Sequence, residues 1–278
     1  MKLTPIRYLP GRAAAKLSRI LKTGPRQTES ISPPQWQMVA AGPCKGVNLF
    51  IGPAFLQMAN GDYDNYIFQA LKTIGFCFER SSCWDVGAHF GYHSFAFASL
   101  SGPHGRVLAF EPNPANRERM QLHLERNPNL ASQIKLLPYA LSDSNGDRKF
   151  KLSLQIESGA STCSYLDSGL PPGDRVSYKN FQDTIVQARK ADNLLDDQEI
   201  HPPDLMKIDV EGAEQEVLLG AEHIIKKHRP VLAMEVHNIH CMFNTQKWLF
   251  NQGYELHLVT DAPYSHSRCF VIGCPAIS

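Results

Sequence analysis

Two acids separated by one residue end an apolar run at Leu205-Met-Lys-Ile-Asp209-Val-Glu211, and Glu235 and His237 repeat that spacing after Val231-Leu-Ala-Met. On an extended chain, residues two apart project to the same side. Each run therefore delivers two polar groups into one space. Clustered carboxylates repel one another, which raises the basicity of one of them; Lys207, two residues before Asp209, offsets part of that charge. An alcohol attacking an electrophile must lose its proton, and a positioned base contributes roughly 10²–10⁴ in rate. Glu211 or His237 is the candidate base, an imidazole being suited to accept a proton near neutral pH, with Asp209 orienting cofactor or substrate. Glu214 is expected to complement the dipole of the helix it opens. Glu235, His237, His240 and Cys241 lie close in sequence but match no structural zinc spacing, so no metal is expected.

A second constellation lies upstream. In Trp84-Asp85-Val86-Gly87-Ala88-His89-Phe90-Gly91 an acid at a strand end is followed by two glycines before a helical stretch. Gly87 allows a tight turn without a Cβ, so a ligand can approach backbone N–H groups at a helix N-terminus. Phe110-Glu111-Pro112-Asn113 ends the next apolar run, with Glu111 20 residues beyond Gly91. A carboxylate there can accept two hydrogen bonds from a ribose diol. The G-x-G-x-x-G spacing that meets a pyrophosphate is absent, and Asp85 would repel phosphate. A cationic nucleoside without phosphate fits better, and S-adenosylmethionine is one. Tyr139-Ala140-Leu141 ends a third run where a flat adenine could lie.

These groups need a scaffold that delivers strand ends to one edge, and the pattern supplies it. Strand-like runs at 83–86, 106–110, 134–141, 205–210 and 231–236 alternate with helix-like runs at 92–100, 114–126 and 217–225, with Asn113 as N-cap and Pro114 in the first turn. A helix at 245–251 and a pair of strands at 255–259 and 269–272 close the chain, and 148–154 could add an edge strand. Such alternation predicts a mainly parallel, doubly wound α/β sheet, with ligands outside the carboxyl ends of its strands. Residues 36–58 suggest a small hairpin and 64–73 a helix, together a cap over 36–80 ahead of a core at 81–278. The loop at 157–174 is expected near the site.

The charge balance narrows the partners. Net charge is +1 over 278 residues, and hydrophobic residues make up 43%. That composition fits a filled globular core and argues against a dedicated nucleic-acid binder. Lys2, Arg7, Arg12, Lys16, Arg19, Lys22 and Arg26 precede the first acid, Glu29. Residues 1–35 therefore form a basic arm and linker, whose stretch from Ala13 to Leu21 could touch a membrane surface or a protein. Nothing in it has the form of a signal peptide. Seven scattered cysteines without a C-x-x-C pair point to reduced thiols and a cytoplasmic setting.

The segments Asp85-Val-Gly-Ala-His-Phe-Gly-Tyr, Phe110-Glu-Pro-Asn-Pro, Tyr139-Ala-Leu-Ser-Asp, Leu205-Met-Lys-Ile-Asp-Val-Glu-Gly-Ala-Glu and Arg229-Pro-Val-Leu-Ala-Met-Glu-Val-His resemble the ordered motifs of the FkbM family of S-adenosylmethionine-dependent methyltransferases. The resemblance runs from about Gly61 to Val259. It implies the class I methyltransferase fold, Rossmann-like, with seven strands of which the last is antiparallel. It also implies methyl transfer to a hydroxyl of a sugar or other small natural product, with Asp85, Gly87, Ala88, His89, Gly91, Glu111, Pro112, Asn113, Tyr139, Ala140 and Leu141 around the cofactor. Tyr63-Asp64 stands where the family has Tyr-Glu and, with Glu235, is expected at the substrate. His89 departs from the family's asparagine. The asparagine- or aspartate-proline-proline-aromatic motif of exocyclic amine methylation is missing. Two alternatives stand beside this reading, a nicotinamide-dependent oxidoreductase and a non-catalytic binding protein on the same fold; intact Asp85, Gly87, Glu111 and Asp209 weigh against the second.

Overall fold

The computed structural model describes residues 7–9, 33–153, 164–168, 181–197, 200–259 and 269–276. Its central sheet runs, edge to edge, Arg7–Leu9, Tyr254–Val259, Cys269–Pro275, Val231–Val236, Leu205–Ile208, Ser82–Val86, Arg106–Phe110 and Ile134–Leu137. All neighbours are parallel except Cys269–Pro275, which is antiparallel to both strands beside it. Seven of these strands have the expected class I methyltransferase arrangement. An eighth, Arg7–Leu9, comes from the basic arm and pairs with His257–Val259, covering an edge that would otherwise present open backbone groups. The stretch from Ala13 to Leu21 lies outside the described residues.

Both faces of the sheet are covered. Ile67, Leu71, Phe95 and Phe97 from the helices Asn65–Thr73 and Tyr92–Ser101 pack on one face with Cys83 and Val107. Val217, Leu218, Ile224, Ile225 and Leu249 pack on the other with Trp84, Val86, Met206 and Ile208. Central strands buried on both sides explain why Ser82–Val86 and Leu205–Ile208 are mainly apolar, with Asp85 and Lys207 facing each other as the charged exceptions. The direction of winding reverses between Ser82–Val86 and Leu205–Ile208, and the carboxyl ends diverge there, which makes a crevice at a topological switch point.

Local chemistry sets the boundaries. Asn113 accepts a hydrogen bond from the Ala115 N–H at 3.0 Å and caps Pro114–Arg126 as expected. Asn238 caps a helix that begins at Ile239 rather than at 245, its side chain accepting from the Cys241 N–H at 2.8 Å. The run expected over 217–225 divides into Glu214–Gly220 and Glu222–His228. The third strand ends at Leu137 instead of continuing to Leu141. Pro138 has no N–H to extend the ladder, and Ala140–Leu141 joins a different sheet.

That second sheet has the order Ala140–Leu141, Phe181–Arg189, Gly146–Ser153, Tyr165–Leu166. Its main pair is antiparallel, from Phe181 opposite Ser153 to Ala188 opposite Gly146. The edge strand expected at 148–154 is therefore an inner strand of a separate layer. Phe150, Leu166, Val186 and Ala188 pack with Ala140 and Ala213 in a small core of their own. The cap is a hairpin of Gln35–Met38 and Asn48–Ile51, fastened to the core by Asn127, whose side chain accepts from the Asn48 N–H and donates to the Asn48 carbonyl, both at 2.8 Å. Among the described residues no helix is long and apolar enough to cross a membrane.

Trp84 is fully buried, stacks at a tilt 5.4 Å from Phe110, and donates through Nε1 to the His201 carbonyl at 3.0 Å. Trp84→Ala is expected to cost about 3–5 kcal/mol of stability, as other large-to-small changes in cores do. A urea titration followed by circular dichroism checks this, and a loss under about 1 kcal/mol would show that the indole does not anchor this layer.

Candidate active site

The first strand delivers the glycine turn. Gly87 has φ +81°, and a Cβ there would lie 1.9 Å from the Asp209 carbonyl oxygen. Only glycine lets the first loop approach the fourth strand so closely. The N–H groups of Gly87 and Ala88 both donate to the Phe110 carbonyl at 3.0 Å, drawing the second strand end alongside. Glu111 then reaches across: one oxygen accepts from the His89 N–H at 2.7 Å and the other from the Asn113 N–H at 2.8 Å. Burial pushes Glu111 up to about 7 against the pull of those N–H groups. The Asn116 side chain supplies a third hydrogen bond, and the carboxylate, with about four lone-pair sites, keeps acceptor capacity toward the cleft that Glu111 lines with Gly87, Ala88, His89, Pro112, Tyr139, Ala140 and Leu141.

His89 itself sits at φ +51°, and burial, with Lys207 adding, lowers its imidazole to about 3, so the ring is neutral. Glu211 at φ +56° and Asp64 at φ +49° share the left-handed region. Each such non-glycine residue carries roughly 1–3 kcal/mol of strain, and all three stand at or beside the cleft.

Asp85, Gly91 and Asn113 are placed differently from the rest of the expected cofactor set. Asp85 is fully buried behind the cleft wall, where it accepts from Ser94 Oγ at 2.6 Å and faces Lys207 Nζ at 3.3 Å. Burial raises its pKa while Lys207 pulls it back. Its charge is matched within the protein rather than offered directly to a ligand. Gly91 packs on Met120, and Asn113 acts through its cap and its N–H to Glu111.

The fourth and fifth strands bring Asp209, Glu211, Glu235 and His237 together as their spacing predicts. Lys207 Nζ also faces Asp209 at 3.3 Å and donates to the Gly87 carbonyl at 3.3 Å. Burial alone would raise Asp209, but Lys207 and then His237 hold it below the ordinary carboxylate range. Burial pushes Glu211 up to about 8, with His237 opposing and Asp209, Glu235 and Glu214 adding. His237 Nδ1 bonds Glu214 at 2.8 Å, while Nε2 lies 3.6 Å from Asp209, 3.5 Å from Glu211 and 3.7 Å from Glu235. Burial would lower His237, yet the Glu214 bond and the surrounding carboxylates hold it up near 10. The surrounding carboxylates thus favour the charged form of the imidazole over the neutral form expected of a base. It also stands behind Asp209 and Glu211, which line the cleft with Lys207 and Glu235.

At the same end Tyr63 lines the cleft, and Asp64 lies 3.6 Å from His93 Nε2. Burial raises Asp64 to about 7. His93 stacks on Phe68 at 5.9 Å and also reaches the cleft, as does His89 four residues before it. Sequence reasoning missed Phe150, which walls the cleft from the second sheet, whereas Ser164 and Leu166, in the same wall, fall within the loop expected near the site. No period in the sequence ties Phe150 to the site, because it arrives through a layer formed between the third and fourth core strands. Sequence reasoning also took Glu214 for a dipole partner only; the side chain is fully buried, accepts from the Gly212 N–H at 2.8 Å and orients His237. His240 is exposed, and Cys241 Sγ turns to the Gly212 carbonyl at 3.1 Å, so the residues adjacent in sequence do not converge. Of the expected loop, 157–163 and 169–174 lie outside the described residues.

An eight-stranded sheet of this order, with an acid-lined cleft at its switch point, defines a protein of the class I methyltransferase fold. The family described as Methyltransferase FkbM domain matches residues 85–256, and the chain belongs to that family of methyltransferases. The nicotinamide alternative is thereby set aside. A hexuronic acid methyltransferase, AglP of Haloferax volcanii, is 29% identical over 159 residues, 57% of each protein. The AMB antimetabolite synthetase AmbE of Pseudomonas aeruginosa is 26% identical over 55% of this chain and 8% of its own length. The chain thus spans little more than half of the first of these relatives and a small part of the second. The crystal structure of an FkbM methyltransferase from Methylobacillus flagellatus superposes with a TM-score of 0.51 at 19% identity, covering 74% of this chain and 47% of that one, a likeness of fold.

Gly87→Ala places a methyl group against the Asp209 backbone in a conformation L-residues rarely adopt. The expected result is a loss of at least about 2 kcal/mol of stability or a displaced loop. Thermal unfolding followed by calorimetry measures it; an unchanged transition would mean that the turn relaxes without cost.

Proposed function

We propose that the chain is an S-adenosylmethionine-dependent O-methyltransferase acting on a hydroxyl of a sugar or a similarly hydroxylated small molecule. One observation carries the reading: a single cleft joins a nucleoside-matched end, Glu111 with Tyr139 to Leu141, to a proton-accepting end, Asp209 with Glu211. The sulfonium of the cofactor is already an activated methyl donor. The protein's contribution is to hold the hydroxyl in line with it and to receive the proton. Glu111 meets the ribose, the glycine turn and His89 meet the methionine portion, and the apolar wall of the second sheet with Tyr139 encloses the adenine. Asp209 and Glu211 face the hydroxyl, with Tyr63, Asp64 and Glu235 around the acceptor. Asp85 acts as a positioning residue through Lys207 and Ser94. The name of the Haloferax relative favours a sugar bearing a carboxylate. A membrane or protein contact through the basic arm remains part of this reading, as does a cytoplasmic setting.

Calorimetry with S-adenosylmethionine tests the cofactor half. Binding is expected, and Glu111→Ala is expected to remove most of it; an absence of heat at high micromolar ligand would sink the reading. The Glu111 carboxylate must be ionised to accept from the ribose, and burial lifts it to about 7. Affinity should therefore fall as pH drops below about 7, by up to roughly tenfold per unit, and Glu111→Gln should flatten that slope. A wild-type affinity that does not change between pH 6 and 8 would place the ribose elsewhere.

Asp209→Asn keeps the shape of the side chain and removes its charge. With acceptor identified by mass spectrometry of metabolites that gain one methyl group, its kcat is expected to drop by about 10²-fold or more with cofactor binding retained. A variant at wild-type rate would remove the fourth strand from the chemistry.

A further inference from the structure

We propose that Asp209, Glu211 and His237 form a site for one hard divalent cation, Mg²⁺ or Mn²⁺, at the acceptor end of the cleft. One ligand atom from each of the three lies within 4.8 Å of the other two. His237 Nε2 is 3.6 Å from Asp209 Oδ1 and 3.5 Å from Glu211 Oε2. Donors bound roughly 2.0–2.6 Å from a common hard cation stand roughly 3–4 Å apart, so little movement separates this cluster from a coordinating one.

The imidazole supplies the independent observation. Its side chain is 9% exposed, and Nε2 is buried without a hydrogen-bond partner among the described residues, although it points among three carboxylates. Nδ1 meanwhile is committed to Glu214 Oε1 at 2.8 Å, and Glu214 is fixed in turn by the Gly212 N–H. A carboxylate bonded to one ring nitrogen orients the other toward a metal in protein sites of many kinds, and a cation binding here would displace the Nε2 proton to solvent. Charge points the same way. Asp209, Glu211, Glu214 and Glu235 converge here, while the nearest ammonium, Lys207, is shared with Asp85. Two carboxylates and one imidazole suit Mg²⁺ or Mn²⁺ better than a thiolate-seeking ion.

Its role rests on the methyl transfer proposed above. A cation at this point would take the acceptor oxygen as a ligand, lower the affinity of that oxygen for its proton, and fix it toward the methyl group. It would favour acceptors that offer a second oxygen beside the first, a vicinal diol or a hydroxy acid.

The test needs neither acceptor nor turnover. The full chain, stripped with EDTA and dialysed, is titrated with Mn²⁺ and the free ion is followed by electron paramagnetic resonance. One Mn²⁺ per chain is expected, with ¹⁴N coupling from His237 in the spin-echo spectrum. His237→Ala and Glu211→Gln are each expected to weaken binding at least about tenfold, whereas Glu111→Ala should leave it within about twofold. Glu211→Gln preserves side-chain size and stands if His237→Ala does not fold. No uptake at low millimolar Mn²⁺, or uptake equally strong in Glu211→Gln, overturns the proposal and leaves His237 as a protonated counter-ion only. Retained S-adenosylmethionine binding in that case would keep the methyltransferase reading intact, while Mn²⁺ uptake without cofactor binding would do the reverse.

Discussion

A buried ammonium holds this site together. Lys207 lies on the fourth strand directly opposite Asp85 on the first, is almost wholly removed from water, and faces Asp85 and Asp209 at equal distance while donating to the Gly87 carbonyl. Leaving such a charge unmatched in a low-dielectric interior would cost several kcal/mol, so neither loop can drift away from it. Burial would lower the lysine, but Asp209 and Asp85 hold it above its ordinary value. The glycine turn, the fourth-strand acids and the strand junction are therefore a single electrostatic unit. Gly87 follows from it, since no larger residue permits the loop to close on Asp209.

Around that unit the protein concentrates features that oppose folding. His89, Glu211 and Asp64 adopt left-handed backbone conformations, and Asp64, Glu211 and Glu111 are carboxylates that burial pushes toward neutrality. Cores on both faces of the sheet supply the compensating stability. Trp84, Phe95, Phe97 and Leu218 are fully buried immediately behind the catalytic edge. Strain held in place by rigid packing is the usual signature of preorganisation, in which binding groups are fixed before a ligand arrives.

Much of this was legible in the sequence, and the divisions are physical. Alternating apolar runs and helical periods gave the central sheet, because strands buried on both faces are mostly apolar. Spacing by two brought Asp209, Glu211, Glu235 and His237 together, because strand ends convert sequence period into a shared side. Burial was not legible: Asp85 has the right type and place, and only the structure pairs it with Lys207 behind the wall. The pull of Glu214 on His237 was likewise hidden, since Glu214 comes from a different element. The Phe181–Arg189 strand escaped notice because it is largely exposed, with only Val186 and Ala188 buried, and a half-wet strand leaves a weak pattern.

The second sheet changes how such an enzyme could diversify. Phe150 and Leu166 reach the cleft from a layer whose ladders run only among its own four strands, and which enters the chain after the third core strand and leaves before the fourth. Replacing that insert would reshape the pocket while leaving the register of the central sheet and the Lys207 junction untouched. Selection on the shape of the pocket can then act on one contiguous stretch of coding sequence, while the acids at the ends of the fourth and fifth strands keep their places.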